Sequence, residues 1–595
     1  MCGVAGMVSA AAPVSLDAVR RMDRCIAHRG PDDAGVWSAA DGRVAFAHRR
    51  LSILDLSPAA HQPFVSADAR FVITYNGEIY NFRELRNELM AAGDRFRSQS
   101  DTEVILAGYA RFGSAFIERL RGMFAFAIWD ESERQCVVAR DRFGIKPFYY
   151  STAGGRLAFA SSVRALVEEG AARSDPDPIA VQQYFRSGSV PEPRTLLADV
   201  KALEAGSIGT WRAGRFETRR YWSISFDSQE MSWDDAVART RAALDESVRH
   251  HFVSDVPVGV FLSSGIDSNA LVALASTLDV GEINTFSIAF PGESADEGPL
   301  AQRSASHFGT THHEWPIDGR VGRELFEQFV SAADQPSIDG LNTYAVAKLA
   351  RDRGLKVVLS GIGGDELFGG YKSFRRVPQL TRLQQTLQTA GVSGVAAAAA
   401  SLSGGAKGRR VREWLAGPAT IERGYEMFRG IFTCRESQQL AAHFLGVDID
   451  LPHHLAEVAE GTPGDRISAL ELSRYMRNQL LRDADVMSMA QGLELRVPFV
   501  DNGVFDAVRV IPPALRHQPG KRLLTAAVPE LPEWIVHQPK RGFLFPIERW
   551  IGAQWSDVFA RLDDTVPVSL ESWYRKMCVF MFERWLETVK GRKHD

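Results

Sequence analysis

Periodicity changes once along this 595-residue chain, after Trp222, and that change calls for two folding units of different class. Before it, short β-branched and aromatic runs read as strands: Phe71 to Tyr75, Cys136 to Ala139, and Met123 to Trp129, where small and large residues alternate. Asp41-Gly42, Asn76-Gly77 and Gly154-Gly155 read as turn signals between them. Two helices are expected, at Phe82 to Ala92 and Asp101 to Phe112; Asp101 is available as a cap, and Val104, Ile105, Tyr109 and Phe112 fall on one face. Beyond Trp222, Ser232-Trp233-Asp234-Asp235 has the character of a helix start. Strands at Val258 to Leu262, Thr285 to Phe290 and Lys356 to Leu359 then alternate with helices, the pattern of a parallel sheet covered on both faces.

With 45% hydrophobic and 24% charged residues, the chain can bury large cores and is not a disordered one. A formal net charge of -4 offers no basic excess for nucleic acid. The five cysteines, Cys2, Cys25, Cys136, Cys434 and Cys578, have no paired spacing, so neither a zinc site nor a disulfide framework is expected. These features predict a reduced, cytoplasmic chain without a signal peptide, nucleic-acid partner or membrane span. The bland stretch Gly394 to Leu402 is too short to cross a bilayer. It lies in an Ala/Gly/Ser-rich region (residues 385–410, blandest over 391–408) that is expected to be a helical insertion or an exposed loop.

Cys2 directly follows the initiator methionine. If Met1 is removed, the thiol lies beside its own α-amino group, whose pKa of about 7.7–8.0 suits a general base near neutrality. Alone, a cysteine at position 2 would be accidental. Its company is Gly3-Val4-Ala5-Gly6, then His28-Arg29-Gly30-Pro31-Asp32, Arg50 to Asp55, Asn76-Gly77-Glu78-Ile79-Tyr80-Asn81 and Ser100-Asp101-Thr102-Glu103. In that order these motifs resemble the class II glutamine amidotransferases, over roughly residues 2–212. The resemblance implies an N-terminal-nucleophile αββα sandwich in which Cys2 attacks the glutamine amide. It implies that Asn76 and the Gly77 N–H stabilise the oxyanion, that Arg50 takes the α-carboxylate, and that Glu78 and Asp101 take the α-ammonium. Leu51, Ser52, Ile53 and Leu54 would line the pocket through their backbone. Singly, Arg50 reads as a surface residue, Asn76-Gly77 as a hairpin turn and Asp101 as a helix cap. The stretch Arg140 to Pro147 matches the family near the domain interface and reads equally as a charged packing loop.

Val258 to Leu262 runs into Ser263-Ser264-Gly265-Ile266-Asp267-Ser268, small residues at a strand-to-helix turn whose N–H groups suit phosphate. This resembles the pyrophosphate loop of ATP pyrophosphatases, with Ser264 in place of the first glycine. By itself it reads equally as a ligand-free turn. Ser360-Gly361-Ile362-Gly363-Gly364-Asp365-Glu366-Leu367-Phe368-Gly369-Gly370-Tyr371 resembles the asparagine synthetase signature. The two together imply a doubly wound ATP pyrophosphatase domain with C-terminal helices over residues 232–590. Leu262, Ser263, Gly265, Asp267, Ser268, Ile288, Ser360 and Gly361 would bind ATP, and Asp267 and Asp365 would hold Mg²⁺. Lys540, in Pro539-Lys540-Arg541-Gly542-Phe543, matches the family's catalytic lysine; as a lone lysine it reads as surface. Glu494 and Arg496 read equally as signature residues or as a structural ion pair.

The implied function is a glutamine-hydrolysing asparagine synthetase, with aspartate as acceptor, AMP and pyrophosphate as products, and an internal passage for ammonia. The assembly, a homodimer or otherwise, is left open. Some positions depart from the family. Ile362 stands where an acidic residue follows Ser-Gly, and Asp334-Gln335-Pro336-Ser337-Ile338-Asp339-Gly340 replaces a loop of Asp-Glu-Pro form. Asp485 and Gln538 stand near positions that are usually basic, and Ser162 and Arg164 replace a Glu and a Lys. They motivate an alternative acceptor such as a sugar uronate or a peptide carboxylate. A binding module derived from such an enzyme would have lost Cys2, Asp267 or Asp365, and all three are present.

Overall fold

The computed structural model describes residues 2–168, 170–278, 280–293, 296–402, 405–447, 460–538 and 545–591. The N-terminal unit holds twelve strands: β1 (Gly3–Ser9), β2 (Asp33–Ser38), β3 (Val44–Arg50), β4 (Phe64–Val65), β5 (Phe71–Ile79), β6 (Gly122–Asp130), β7 (Gln135–Arg140), β8 (Tyr149–Ser151), β9 (Arg156–Ala160), β10 (Lys201–Ala202), β11 (Ser207–Arg212) and β12 (Arg215–Arg220). They form two six-stranded sheets in the orders β10-β8-β9-β1-β3-β2 and β12-β11-β7-β6-β5-β4, with antiparallel pairing.

Alternation within the strands makes the layers. Phe71, Ile73 and Tyr75 of β5 face helices α2 (Phe82–Ala91) and α3 (Asp101–Phe112), where they meet Leu85, Leu89, Val104 and Tyr109. Val72 points the other way, into a core of Val44, Phe46, Phe159, Trp129 and Val138 shared by both sheets. Helix α1 (Leu16–Cys25) covers the outer face of the first sheet through Val19 and Met22. The result is the αββα sandwich.

Three local expectations need correction. Asn76-Gly77 is no turn: both residues sit inside β5, paired with Ala125 and Phe124 of β6. Glycine is needed there for close approach, since a Cβ on Gly77 would lie 2.1 Å from the Met123 carbonyl oxygen. Ser100, not Asp101, caps α3 by accepting from the Glu103 N–H. Phe112 leaves the buried face, is exposed, and stacks on Phe116.

The C-terminal unit begins with α6 (Trp233–His251), after the shorter α4 (Val163–Glu168) and α5 (Pro178–Ser187) of the N-terminal unit. Ser232 caps α6 through the Asp235 N–H at 3.1 Å. Its sheet comprises β13 (Val258–Phe261), β14 (Asn284–Ala289), β15 (Thr311–Pro316), β16 (Val357–Leu359) and β17 (Glu494–Arg496), all parallel, in the order β15-β14-β13-β16-β17. The chain winds outward from β13 to β15, then returns to the other side of β13 with β16. The winding reverses between β13 and β16, the position where open α/β sheets hold their ligands. The Ala/Gly-rich region is helical, in Ser373–Thr389, Ser393–Leu402 and Gly405–Leu415. Among the described residues no helix is long and apolar enough to cross a membrane.

Polar contacts, some of them buried, join the two units. Asp334 accepts from the Ser162 hydroxyl at 2.7 Å and from the Val163 and Arg164 N–H groups at the start of α4. Arg29 pairs with Asp485 at 2.8 Å, with both side chains buried and Lys146 at 3.7 Å. Lys356 reaches Asp32 at 2.8 Å. Several family departures thus lie in this interface, each with a partner across it.

Candidate active sites

Strand β1 carries Cys2 to the end of its sheet, beside Asn76 of β5 in the other sheet. The Cys2 N–H donates to Asn76 Oδ1 at 2.9 Å. That bond fixes the amide and leaves its Nδ2 buried without a partner among the described residues. A buried donor with nothing to donate to is costly, and an oxyanion formed on a substrate amide would satisfy it. Burial raises the Cys2 thiol above its ordinary pKa, while the Leu51 N–H and the charge of Arg50 pull it down.

Arg50 lies at the end of β3 and folds onto its own loop, donating to the Leu54, Asp55 and Ser57 carbonyls. The loop is pinned further by Ser52 N–H to Asp32 at 2.8 Å and by Asp255 N–H to the Ile53 carbonyl at 3.0 Å. Leu51 and Ile53 are buried. Asp101 accepts from the Tyr75 hydroxyl at 2.7 Å and the Ile79 N–H at 2.9 Å, and its burial raises its pKa. Glu78, raised well above the carboxylate range by burial, lies 3.1 Å from Arg496 Nη2. Arg496 also holds Glu494 at 2.5 Å and the His251 and Val253 carbonyls at 2.7 Å. Glu494 and Arg496 are therefore a buried ion pair, and it connects the C-terminal sheet to the Cys2 pocket. Burial works against ionisation of Glu494, but nearby positive charge, including that of Arg496 and Lys146, brings its pKa down to about 2.

The second site lies where the C-terminal sheet reverses its winding. The loop after β13 folds on itself: Ser268 Oγ accepts from the Ser263 N–H at 3.1 Å, and Ser263 Oγ from the Gly265 N–H at 3.1 Å. Helix α7 (Ile266–Thr277) follows, with Gly265 as its cap residue. The Ser264 N–H is occupied by Glu297 at 3.0 Å. The signature loop after β16 packs against this one through its glycines. A Cβ on Gly364 would lie 2.4 Å from Asp267 Oδ1, and one on Gly370 would lie 1.8 Å from Asp365 Oδ1. The glycines make room for the two carboxylates.

Asp267 and Asp365 converge on Lys521, whose Nζ lies 2.6 and 2.5 Å from the Asp267 oxygens and also contacts Asp365. Burial would strip the Lys521 proton, but the two carboxylates raise its pKa instead. Sequence reasoning missed this residue. The Gly520-Lys521 step before the short helix Arg522–Ala527 was its local signal, and nothing there separates it from a surface lysine.

The cavity between the loops measures about 520 Å³ and is lined by Leu262, Ser263, Gly265, Asp267, Ser268, Ser360, Gly361, Ile362 and Asp365. Ile288 is a core side chain of β14, and Phe286, on the same strand, lines the cavity. Two carboxylates against one ammonium leave a negative charge that a divalent cation complements, so the donor set fits Mg²⁺. Lys540 lies outside the described residues.

Comparison with known proteins agrees with this division. Residues 1–222 match the model of the glutamine amidotransferase domain, and residues 239–593 that of asparagine synthase. Asparagine synthetase [glutamine-hydrolyzing] 1 of Bacillus subtilis is 35% identical, covering 93% of this chain and 88% of its own length. A Mycobacterium bovis protein bearing an asparagine synthetase name is 36% identical, over 93% of this chain and 89% of that one. Amidase chry2 of Gibberella zeae is 33% identical, over 59% of this chain and 54% of its own length. A solved glutamine phosphoribosylpyrophosphate amidotransferase from B. subtilis overlaps at a TM-score of 0.30 and 15% identity, covering 60% of this chain and 81% of that one; the fold rests on the sheets above, not on this likeness. The chain belongs to the glutamine-hydrolysing asparagine synthetase family, a glutamine amidotransferase domain joined to an ATP-using synthetase domain.

Proposed function

We propose that the chain transfers the amide nitrogen of glutamine to a carboxylate activated by ATP. The Cys2 thiolate attacks the glutamine Cδ, with the free α-amine of the processed terminus taking the thiol proton. Asn76 Nδ2 and the Gly77 N–H receive the oxyanion, ammonia leaves, and water hydrolyses the thioester to glutamate. Arg50, Glu78 and Asp101 hold the α-carboxylate and α-ammonium. The observation that carries this half is the unpartnered Asn76 Nδ2 beside Cys2.

At the second site an acceptor carboxylate oxygen attacks the ATP α-phosphorus, and the bond to the bridging oxygen breaks to release pyrophosphate. Ammonia then attacks the acyl carbon, AMP leaves with the C–O electron pair, and a proton is lost. The loop N–H groups and α7 bind phosphate, Leu262, Phe286, Ser360 and Gly361 hold the nucleoside with Ile288 packed behind them in the core, and Lys521 and Lys540 offset charge on the phosphates. Asp267 and Asp365 would hold Mg²⁺, which supplies further charge neutralisation. An internal route between the sites keeps ammonia from becoming ammonium, and the reaction suits the cytoplasm, where ATP and glutamine are abundant. The names of the relatives point to aspartate as acceptor. A second reading, a different carboxylate, is favoured by Ile362, which lines the cavity and offers neither charge nor hydrogen bond through its side chain.

The test is release of glutamate, AMP and pyrophosphate with glutamine, ATP and aspartate. Pyrophosphate release that depends on aspartate supports the first acceptor. Release that ignores aspartate but responds to another carboxylate supports the second. Release with no carboxylate at all contradicts the scheme.

A further inference from the structure

One stretch that neither site uses carries charge of a single sign. Residues 372–412 contain eight lysines and arginines and no aspartate or glutamate, although the whole chain has a net charge of -4. Two of the eight are engaged inside the fold: Arg409 holds Glu436 at 2.9 Å and Arg410 donates to the Gly430 carbonyl. The other six, Lys372, Arg375, Arg376, Arg382, Lys407 and Arg412, are exposed, and their side chains have no partner among the described residues.

The helix Ser373–Thr389 shows how this charge is presented. Ser373, Val377, Thr381 and Gln384 are its buried face. Gln384 donates to the Trp414 and Gly417 carbonyls at 2.7 and 2.9 Å, and Phe374 packs on His517, so that face is fixed to the domain. Arg375, Arg376, Arg382 and Leu383 fall outside it and are exposed. Acids on the neighbouring helix Ile421–Arg429 are taken elsewhere, Glu422 by Arg466 at 2.6 Å and Glu426 by Arg186 at 3.0 Å.

A second observation concerns apolar groups. Eight large hydrophobic side chains are exposed among the described residues, and three of them, Leu383, Val392 and Val395, lie within residues 383–395. Val395 is the most exposed of all, at 73%. The half-buried Leu380 and Leu387, on the same helix as Leu383, join none of the hydrophobic cores of the described residues. Exposed aliphatic groups and unpaired cations thus share one short length of chain.

That mixture narrows the partner. Unpaired cations alone suit nucleic acid, but aliphatic groups find nothing to bury against on a phosphate backbone. Base stacking needs an exposed ring, and Phe374, the one aromatic residue of the stretch, packs inward. Protein interfaces are anchored chiefly by large aromatic side chains, and none is presented here. An anionic bilayer uses both features, phosphates for the arginines and the acyl boundary for leucine and valine.

We infer that the helices Ser373–Thr389 and Ser393–Leu402 form a docking surface for an anionic membrane, with Arg375, Arg376 and Arg382 on lipid phosphates and Leu383, Val392 and Val395 in the interface. The chain lies on the bilayer and does not cross it, in keeping with the lack, among the described residues, of a helix able to do so. The first helix starts two residues after Tyr371 of the nucleotide cavity, so the docked surface adjoins that site.

The test is co-sedimentation of the full chain with phosphatidylcholine vesicles, with and without about 30 mol % phosphatidylglycerol. The acidic vesicles should bind at least about tenfold more tightly, and raising salt to about 0.5 M should remove most of that difference. Arg375→Gln, Arg376→Gln and Arg382→Gln combined should weaken binding on the order of 10²-fold, at about fivefold per charge. Leu383→Ser with Val395→Ser should weaken it about tenfold and leave any binding to polyglutamate or to a single-stranded oligonucleotide unchanged. All five positions lie outside both sites, so glutamate release without vesicles should stay within about twofold of wild type, which checks that each variant folds. No binding to vesicles, equal binding to neutral and acidic vesicles, or undiminished binding by the Leu383→Ser and Val395→Ser variant overturns the inference. Polyglutamate or the oligonucleotide bound more tightly than the acidic vesicles overturns it in favour of an acidic protein or a nucleic acid.

Discussion

The Cys2 pocket is made by strands and the nucleotide site by loops. Arg50 and Asn76 project from paired strands and Cys2 directly precedes β1, and buried charges such as Asp101 and Glu78 are already partnered by the protein. At the second site the corresponding groups come from turns at the ends of parallel strands, and Lys521 sits between two carboxylates that substrate must share. A strand-built site changes little because moving one residue moves its paired neighbours. A loop-built site can alter one contact, as at Ile362, and keep the rest. Ser162, Arg164 and Asp485 accordingly lie at the interface between the units, and Ile362 on a loop.

That contrast gives a ranked set of outcomes. Cys2→Ala should lower glutamate release by on the order of 10⁴-fold or more, while ammonium salts continue to support pyrophosphate release. Residual glutaminase near the wild-type level would remove Cys2 from its role. Lys521→Met should lower pyrophosphate release by about 10²–10³-fold, the range for loss of a preplaced charge donor, with glutamate release changed by less than about threefold. If both activities fell together, the sites would not be separable as described. Arg496→Met leaves Glu494 and Glu78 buried without their cation. It should cost about 3–5 kcal/mol in denaturant unfolding and raise the glutamine KM, although Arg496 belongs to the other unit. An unchanged KM would show that the ion pair is only architectural.

The smallest effect is on pH dependence. Burial, aided by the charge of Asp365, raises Glu366 from 4.5 to about 7 in the fold. The folded chain therefore holds a proton that the unfolded chain has lost. Glu366's contribution to stability is present below about 4.5 and is lost as pH rises through about 7. Glu366→Gln should flatten the fall in melting temperature over that window. An unchanged slope would assign it to Asp483, which burial also raises to about 7.

Much of this was legible in the sequence. Strand runs such as Phe71 to Tyr75 marked the β7-β6-β5 part of one N-terminal sheet, and the alternation after Trp222 marked the parallel C-terminal sheet; the strand order of that sheet, and so the place where it reverses, came only from the fold. The order of short motifs gave the Cys2 pocket. The rest was hidden because it depends on what lies across space. Asn76-Gly77 has a turn composition, and only the pairing with β6 shows why a strand requires that glycine. Nothing near Lys521 announces that Asp267 and Asp365, 254 and 156 residues earlier, close on it.

One measurement bears most directly on the claim that the two sites serve one reaction. Glutamine labelled with nitrogen-15 at the amide is supplied with ATP and an acceptor carboxylate, and the product amide is examined by mass spectrometry. The account predicts label in the product with one AMP per labelled amide. It also predicts loss of both with Cys2→Ala, and recovery of an unlabelled amide when ammonium is added to that variant. Glutamate and AMP formed without labelled amide, or label that persists in Cys2→Ala, would contradict it.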